Sequence, residues 1–147
     1  MTTYVLDASV AAKWFLTDDE PLSGEALQAL EAYTQGHLDF LVPDLFFPEL
    51  GNVLWRAEQR KRCSSAVVDA AIQELSGQQF ETYPSSRLLP EAMVLARRYT
   101  RPVYDCVYIA LAIQKGSRML TADRKLVNAL RGSLPITWLG NLPASEY

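Results

Sequence analysis

Apolar residues in this chain gather into short runs, separated by longer stretches with helical spacing. TYVLD at 3–7 reads as a short buried strand. LDFLV at 38–42, QFETYP near residue 80, Met119–Thr121 and Ile136–Leu139 read as four more. Between them the period changes. The stretch from Ala8 to Leu16 looks helical, and Leu22, Ala26, Leu30 and Tyr33 recur near 3.6, which predicts a second helix ending around Gly36. Asp44 is read as the N-cap of a long helix to about Arg60, with Pro48 distorting its first turns or marking a late start. Ser64 or Ser65 caps a helix through Leu75, and Ser85 or Ser86 opens one to Tyr99. Residues 105–115 are apolar on nearly every side, so that helix is expected to be central. A last helix runs from Asp123 to about Leu130. Strands that alternate with helices predict an α/β protein: a three-layer α/β/α sandwich around a mainly parallel sheet. No repeat, linker or low-complexity tract interrupts the pattern, so residues 1–147 are expected to form a single domain.

Composition narrows the function classes. The two cysteines, Cys63 and Cys106, lack a C-x-x-C spacing, and Cys106 lies in an apolar stretch where a reduced thiol acts as a small hydrophobe. A reducing, cytoplasmic location is the expectation. Asp7 and Lys13 break the first apolar stretch, and no basic segment precedes it, which disfavours a secretory signal. No uncharged run approaches the eighteen or so residues of a membrane span. The net charge of −3 argues against strong non-specific binding to nucleic acid, without excluding RNA as a substrate.

Four acids stand where apolar or neutral residues are expected: Asp7, Glu49, Asp105 and Asp123. Asp7 lies at a strand-to-helix junction, either as an N-cap or beyond the carboxyl end of a strand, where open α/β sheets bind ligands. Ser9 orients its carboxylate or satisfies the first helical turn. Glu49 has Leu45, Phe46 and Val53 three or four positions away, so its face should pack inward unless the side chain snorkels or pairs with a cation. Asn52, one turn on, can hydrogen-bond a ligating carboxylate. Asp105 begins the most apolar helix, where capping and the helix dipole explain it as well as function does. Asp123 follows Thr121, itself either a hydroxyl donor to the site or simply a β-branched strand residue. Tyr104 and Tyr108 are taken as core or rim aromatics.

The set is more informative than its members. Two carboxylates about 4 Å apart repel by roughly 4 kcal/mol at an effective dielectric of 20. Gathered together, such acids call for a hard, oxygen-ligated divalent cation, Mg²⁺ or Mn²⁺, with waters completing the octahedron. Zinc is disfavoured because His37 is the single histidine, placed in a predicted turn. The same scarcity disfavours Ser–His–Asp and Cys–His catalysis, and no Gly-rich phosphate loop is present.

The ordered segments VLDASV, PELGNVLWR, YDCVYIALA and LTADRKL resemble PIN-domain proteins, and among them the VapC-type toxins of VapBC toxin–antitoxin pairs. The resemblance spans almost the whole chain. It implies a metal-dependent endoribonuclease that cleaves RNA by in-line attack of an activated water, with Mg²⁺ or Mn²⁺ held by Asp7, Glu49, Asp105 and Asp123. Ser9, Asn52 and Thr121 are the implied supporting groups. It further implies a homodimer, a cognate VapB-type antitoxin as inhibitor, and no membrane association. Cys106 stands where relatives more often carry alanine, which touches no ligand. Lys13, Arg56, Arg60, Lys61, Arg62, Arg97, Arg98, Arg101, Arg124 and Lys125 are candidates for RNA contact, a solvated charged face being the expectation for most. Trp14, Phe15, Phe46, Phe47 and Trp55 are expected in the core, or else on a dimer or antitoxin surface. Two rivals remain open here: a catalytically silent PIN-like module that binds RNA or a partner, and a receiver or haloacid-dehalogenase-type phosphotransferase.

Overall fold

The computed structural model describes residues 1–16 and 20–142, which include every predicted site residue. In chain order the elements are β1 (Thr2–Leu6), α1 (Ala8–Phe15), α2 (Ser23–Thr34), β2 (Leu38–Pro43), α3 (Phe46–Gln59), α4 (Ser65–Ser76) and β3 (Glu81–Tyr83). Then follow α5 (Ser85–Tyr99), α6 (Val103–Gln114), β4 (Arg118–Thr121), α7 (Arg124–Leu130), β5 (Ile136–Trp138) and a single 3₁₀ turn at Leu139–Asn141. Each predicted element is present, with ends shifted by one or two residues, as fraying termini lead one to expect.

The five strands form one sheet in the order β3-β2-β1-β4-β5, with every pairing parallel. From β1 the chain steps outward to β2 and β3, then returns across β1 to β4 and β5. Right-handed crossovers therefore place α1 to α4 on one face and α5 to α7 on the other. Packing agrees: α6 lies on β1, β2 and β4 with α5 outside it, while α1 packs against α2 and α3. This is the three-layer α/β/α sandwich. The reversal of strand order puts the topological switch point between β1 and β4, where such sheets open a crevice beyond their carboxyl ends.

Burial follows the apolar pattern. In α6, Cys106 through Ala112 are all buried, because this helix sits between the sheet and α5. Phe40, Phe46, Phe80, Trp14 and Tyr33 stack in the layer beneath α1 and α3, with ring centroids 5.2–6.4 Å apart. The expectation that Trp14 and Phe46 are core residues holds, whereas Phe47 and Trp55 are exposed. The α2–β2 and α6–β4 connections use the same device. Gly36 (φ +79°) and Gly116 (φ +60°) adopt the left-handed conformation, and the following amides of His37 and Ser117 bond back to Ala32 and Ala112. Each turn feeds the chain directly into a central strand.

Two predicted caps are corrected. Helix α3 starts at Phe46, not after Asp44; the Asp44 carboxylate accepts from the Ser85 amide (3.0 Å), and Ser85 Oγ accepts from the Leu45 amide (3.2 Å). Asp44 thus ties the start of α3 to α5 rather than capping its own helix. Helix α6 starts at Val103 behind Pro102, so Asp105 lies inside the first turn and is not the cap. Ser64 does cap α4, accepting from the Val67 amide.

Candidate active site

The strand-end acid Asp7 is 7% exposed, in extended conformation at the N-cap position of α1. Its side chain makes no capping bond. Instead Oδ2 accepts hydrogen bonds from Ser9 Oγ (2.6 Å) and Thr121 Oγ1 (2.7 Å). Those hydroxyls are bound in turn: Ser9 Oγ accepts from the Ala122 amide (3.0 Å), and Thr121 Oγ1 from the Asp123 amide (3.1 Å). The fully buried Thr121 and the half-buried Ser9 therefore bracket one carboxylate oxygen and lock the end of β1 to the β4–α7 turn. Burial raises the Asp7 carboxyl above its ordinary range, the two hydroxyls pull it back, and the charge of Asp123 raises it further.

Glu49 and Asp105 reach the same crevice from the first turns of α3 and α6. Burial and then the charges of Asp7 and Asp105 push Glu49 up to about 7. Burial, Asp7 and Asp123 push Asp105 up to about 6, against a small opposing pull from Arg101. Asp123 uses Oδ1 to cap α7 at the Leu126 amide (3.1 Å), so the capping explanation holds for that oxygen, and the second oxygen is not used in the cap. Asp7, Glu49 and Asp105 each feel the charge of at least one other member of the set. The four acids come from four separate segments of chain.

The donor chemistry suits a hard cation, since all four groups offer oxygen. They stand apart, however: among the described residues no three His, Cys, Asp or Glu side chains close into a ready-made cage. A small octahedral ion that keeps several waters needs direct bonds from only one or two carboxylates, so the residues fit such an ion without a closed cage. Asn52 lines an open cleft with Glu49, Tyr104 and Asp105, but it is exposed at the lip and hydrogen-bonds neither acid. The single histidine, His37, is exposed in the turn after α2.

The PIN domain family model matches residues 4–130. The chain belongs to the PIN domain family. Ribonuclease VapC3 of Pyrobaculum aerophilum is 29% identical over 126 residues, which covers 83% of this PIN domain chain and 90% of that protein. The crystal structure of PAE2754 from Pyrobaculum aerophilum matches the fold with a TM-score of 0.65 at 21% identity, over 95% of this chain and 85% of that one. The match leaves no support for the receiver or haloacid-dehalogenase expectation, which belongs to other folds.

Two residues of this PIN domain were read too blandly from sequence. Tyr108, taken as a core or rim aromatic, is 1% exposed, yet its hydroxyl is buried with no hydrogen bond of normal geometry. It faces Glu49 and Asp7; burial and those two charges raise it far above the usual phenol range. The available signal was its position three residues after Asp105 on the same helical face, in an otherwise hydroxyl-free apolar run. Tyr104, by contrast, is a true rim residue. Lys13, expected among solvated basic residues, is buried and paired with Glu20 Oε1 at 2.8 Å. The phenol of Tyr108 holds Glu49 slightly below where burial and the two neighbouring charges would put it. Tyr108→Phe should therefore keep or slightly raise stability, by up to about 1 kcal/mol, because it removes a buried hydroxyl that lacks a well-formed hydrogen bond. The same change should move the acid limb of the pH–rate profile to higher pH. A limb that stays in place would separate Tyr108 from Glu49.

Proposed function

We propose that this PIN domain is a metal-dependent endoribonuclease of the VapC type, the toxin of a type II toxin–antitoxin pair. One observation carries the reading: a buried, hydroxyl-bracketed carboxylate at the switch point of a parallel sheet, electrostatically coupled to three further acids, Glu49, Asp105 and Asp123. Asp7, Glu49, Asp105 and Asp123 are the groups that would hold Mg²⁺ or Mn²⁺. When bound, the ion supplies charge neutralisation at the scissile phosphate and a more acidic water.

The chain's own residues do the rest. Ser9 and Thr121 fix the Asp7 carboxylate through its Oδ2. Glu49 or Asp105, pushed up to about 7 and about 6 by burial and the neighbouring acids, accepts the proton of the water that attacks phosphorus in line, and the departing 3′-oxygen takes a proton from solvent. Cleavage then leaves a 5′-phosphate and a 3′-hydroxyl. Nothing in this scheme uses the 2′-hydroxyl, so preference for RNA comes from shape and single-strand contacts.

A homodimer, a VapB-type antitoxin and a cytoplasmic setting belong to the same proposal. Exposed Trp55 on α3, together with Val67 and Ile72 on α4, offers apolar surface for such protein contacts. Among the described residues no helix is long and apolar enough to cross a membrane. In the test, purified chain freed of any antitoxin is incubated with structured RNA. Cleavage with Mg²⁺ or Mn²⁺ and none in EDTA is expected; RNA left intact in every metal would refute the reading. A second reading, a catalytically silent PIN module, draws on the open spacing of the acids. Metal titration separates the two, since a silent module would show the same absence of binding for wild type and Asp123→Ala.

A further inference from the structure

Beside the acids lies a pocket of about 290 Å³ with the opposite charge. Among the described residues Lys13, Arg56, Arg60 and Arg62 line it against Glu20 and Asp123, four cations to two anions in a chain whose net charge is −3. Ser9 and Asp123 belong to its wall as well as to the acidic centre, so the two sites share a border. Inside the pocket, Glu20 accepts from Lys13 Nζ through one carboxylate oxygen and from Arg62 Nη2 through the other. Burial opposes the charged form of Glu20, but the two cations outweigh it and hold the carboxyl below its ordinary range.

We propose that this pocket is a subsite for a second phosphate of the RNA strand, next to the one that is cut, and that Glu20 is its internal stand-in. The inference rests on the nuclease reading for the identity of the strand, but not for the presence of an anion site. Three features argue for it. Keeping the ammonium of Lys13 largely out of water is costly unless an anion meets it, and the carboxylate of Glu20 performs that service in the unliganded protein. Arg56 in the last turn of α3 and Arg60 just past its end sit about one turn apart and face the same space, a spacing suited to gripping one multi-oxygen anion. Lys61, in the left-handed conformation (φ 59°), turns the chain at the end of α3 so that Arg60 and Arg62 both line the pocket. A phosphodiester oxygen entering here takes over the partners of Glu20, and the shared wall carries the neighbouring phosphate to the acids.

The experiment is binding in EDTA, where no cleavage occurs, to a fluorescent single-stranded oligodeoxynucleotide, with inorganic phosphate as competitor. Wild type should bind with a salt slope that falls by about 0.7 in each of Arg56→Gln and Arg60→Gln, as expected for one lost contact to a single-strand phosphate. Lys13→Gln should weaken binding about tenfold or more, and Glu20→Gln should tighten it several-fold, since the competing carboxylate charge is gone. Arg131→Gln at the end of α7, which changes net charge equally and lies outside the pocket, is the control for non-specific charge. Binding of millimolar inorganic phosphate that leaves the strand bound would show a free-phosphate site and overturn the strand assignment. Equal slopes in Arg56→Gln, Arg60→Gln and Arg131→Gln would overturn the pocket itself. Preferential binding of an acidic peptide over the oligonucleotide would also overturn it. The nuclease reading fails separately, by intact RNA in Mg²⁺ and Mn²⁺ while these binding differences persist.

Discussion

Asp7→Asn should produce a folded protein that has lost RNA cleavage by about a thousandfold, or roughly 4 kcal/mol of transition-state stabilisation. The substitution is nearly isosteric, and its amide oxygen can still accept from Ser9 and Thr121, so the bracket between β1 and the β4–α7 turn is kept. What disappears is the charge. Asp7 is the acid to which both Glu49 and Asp105 respond, so it is the electrostatic centre of the group. Removing that charge should relax the repulsion and raise Tm by a few degrees, equivalent to about 1 kcal/mol. Greater stability together with lost activity is the signature of a site whose arrangement costs the fold something. A variant that cuts RNA at the wild-type rate would remove Asp7 from the chemistry. A variant that unfolds would show that its charge is structural.

The second large effect is the dependence of stability on pH in the absence of divalent metal. Glu49 and Asp105 have folded-state values of about 7 and about 6, above the ordinary 4.5 and 3.8. Below the ordinary values both states are protonated and these groups contribute no penalty. Between about pH 4 and 7 the unfolded chain gives up its protons while the folded chain retains them, so stability falls as pH rises. Both groups are partly solvated; after discounting for screening, the combined loss is roughly 3 kcal/mol. Mg²⁺ or Mn²⁺ should offset it by favouring the ionised acids, so the metal-induced rise in Tm should be small at pH 5 and large at pH 7.5. Thermal melts across that range, with and without EDTA, decide the matter. A metal effect independent of pH would place the ion elsewhere.

Much of this architecture could be read from residue order. Alternating apolar runs and helical periods identified all five strands, because buried parallel strands and an all-apolar central helix such as α6 leave strong patterns. The acids were legible for a related reason: a carboxylate on an apolar face is a physical exception that demands an explanation. Local reasoning failed where the partner is remote in sequence. Asp44 carried every mark of a helix cap, yet its carboxylate is satisfied by Ser85, a partner 41 positions away. Tyr108 looked like filler because its hydroxyl meets the acids only after α6 docks on β1. The pairing of Glu20 with both Lys13 and Arg62 likewise depends on α3 ending beside α1, which no spacing within α1 reveals.

The bracket around Asp7 has a consequence for when the proposed nuclease becomes competent. Thr121 reaches Asp7 across 114 positions, and that bond forms only when β4 slots in beside β1. Contacts of such long range are made late, after the local helices and the early strands have settled. A nascent chain should therefore be inactive for most of its synthesis, and competence should switch on in one step as β4 takes its place. Any disturbance that loosens β4 and α7 should silence the protein well before the remainder of the sheet comes apart.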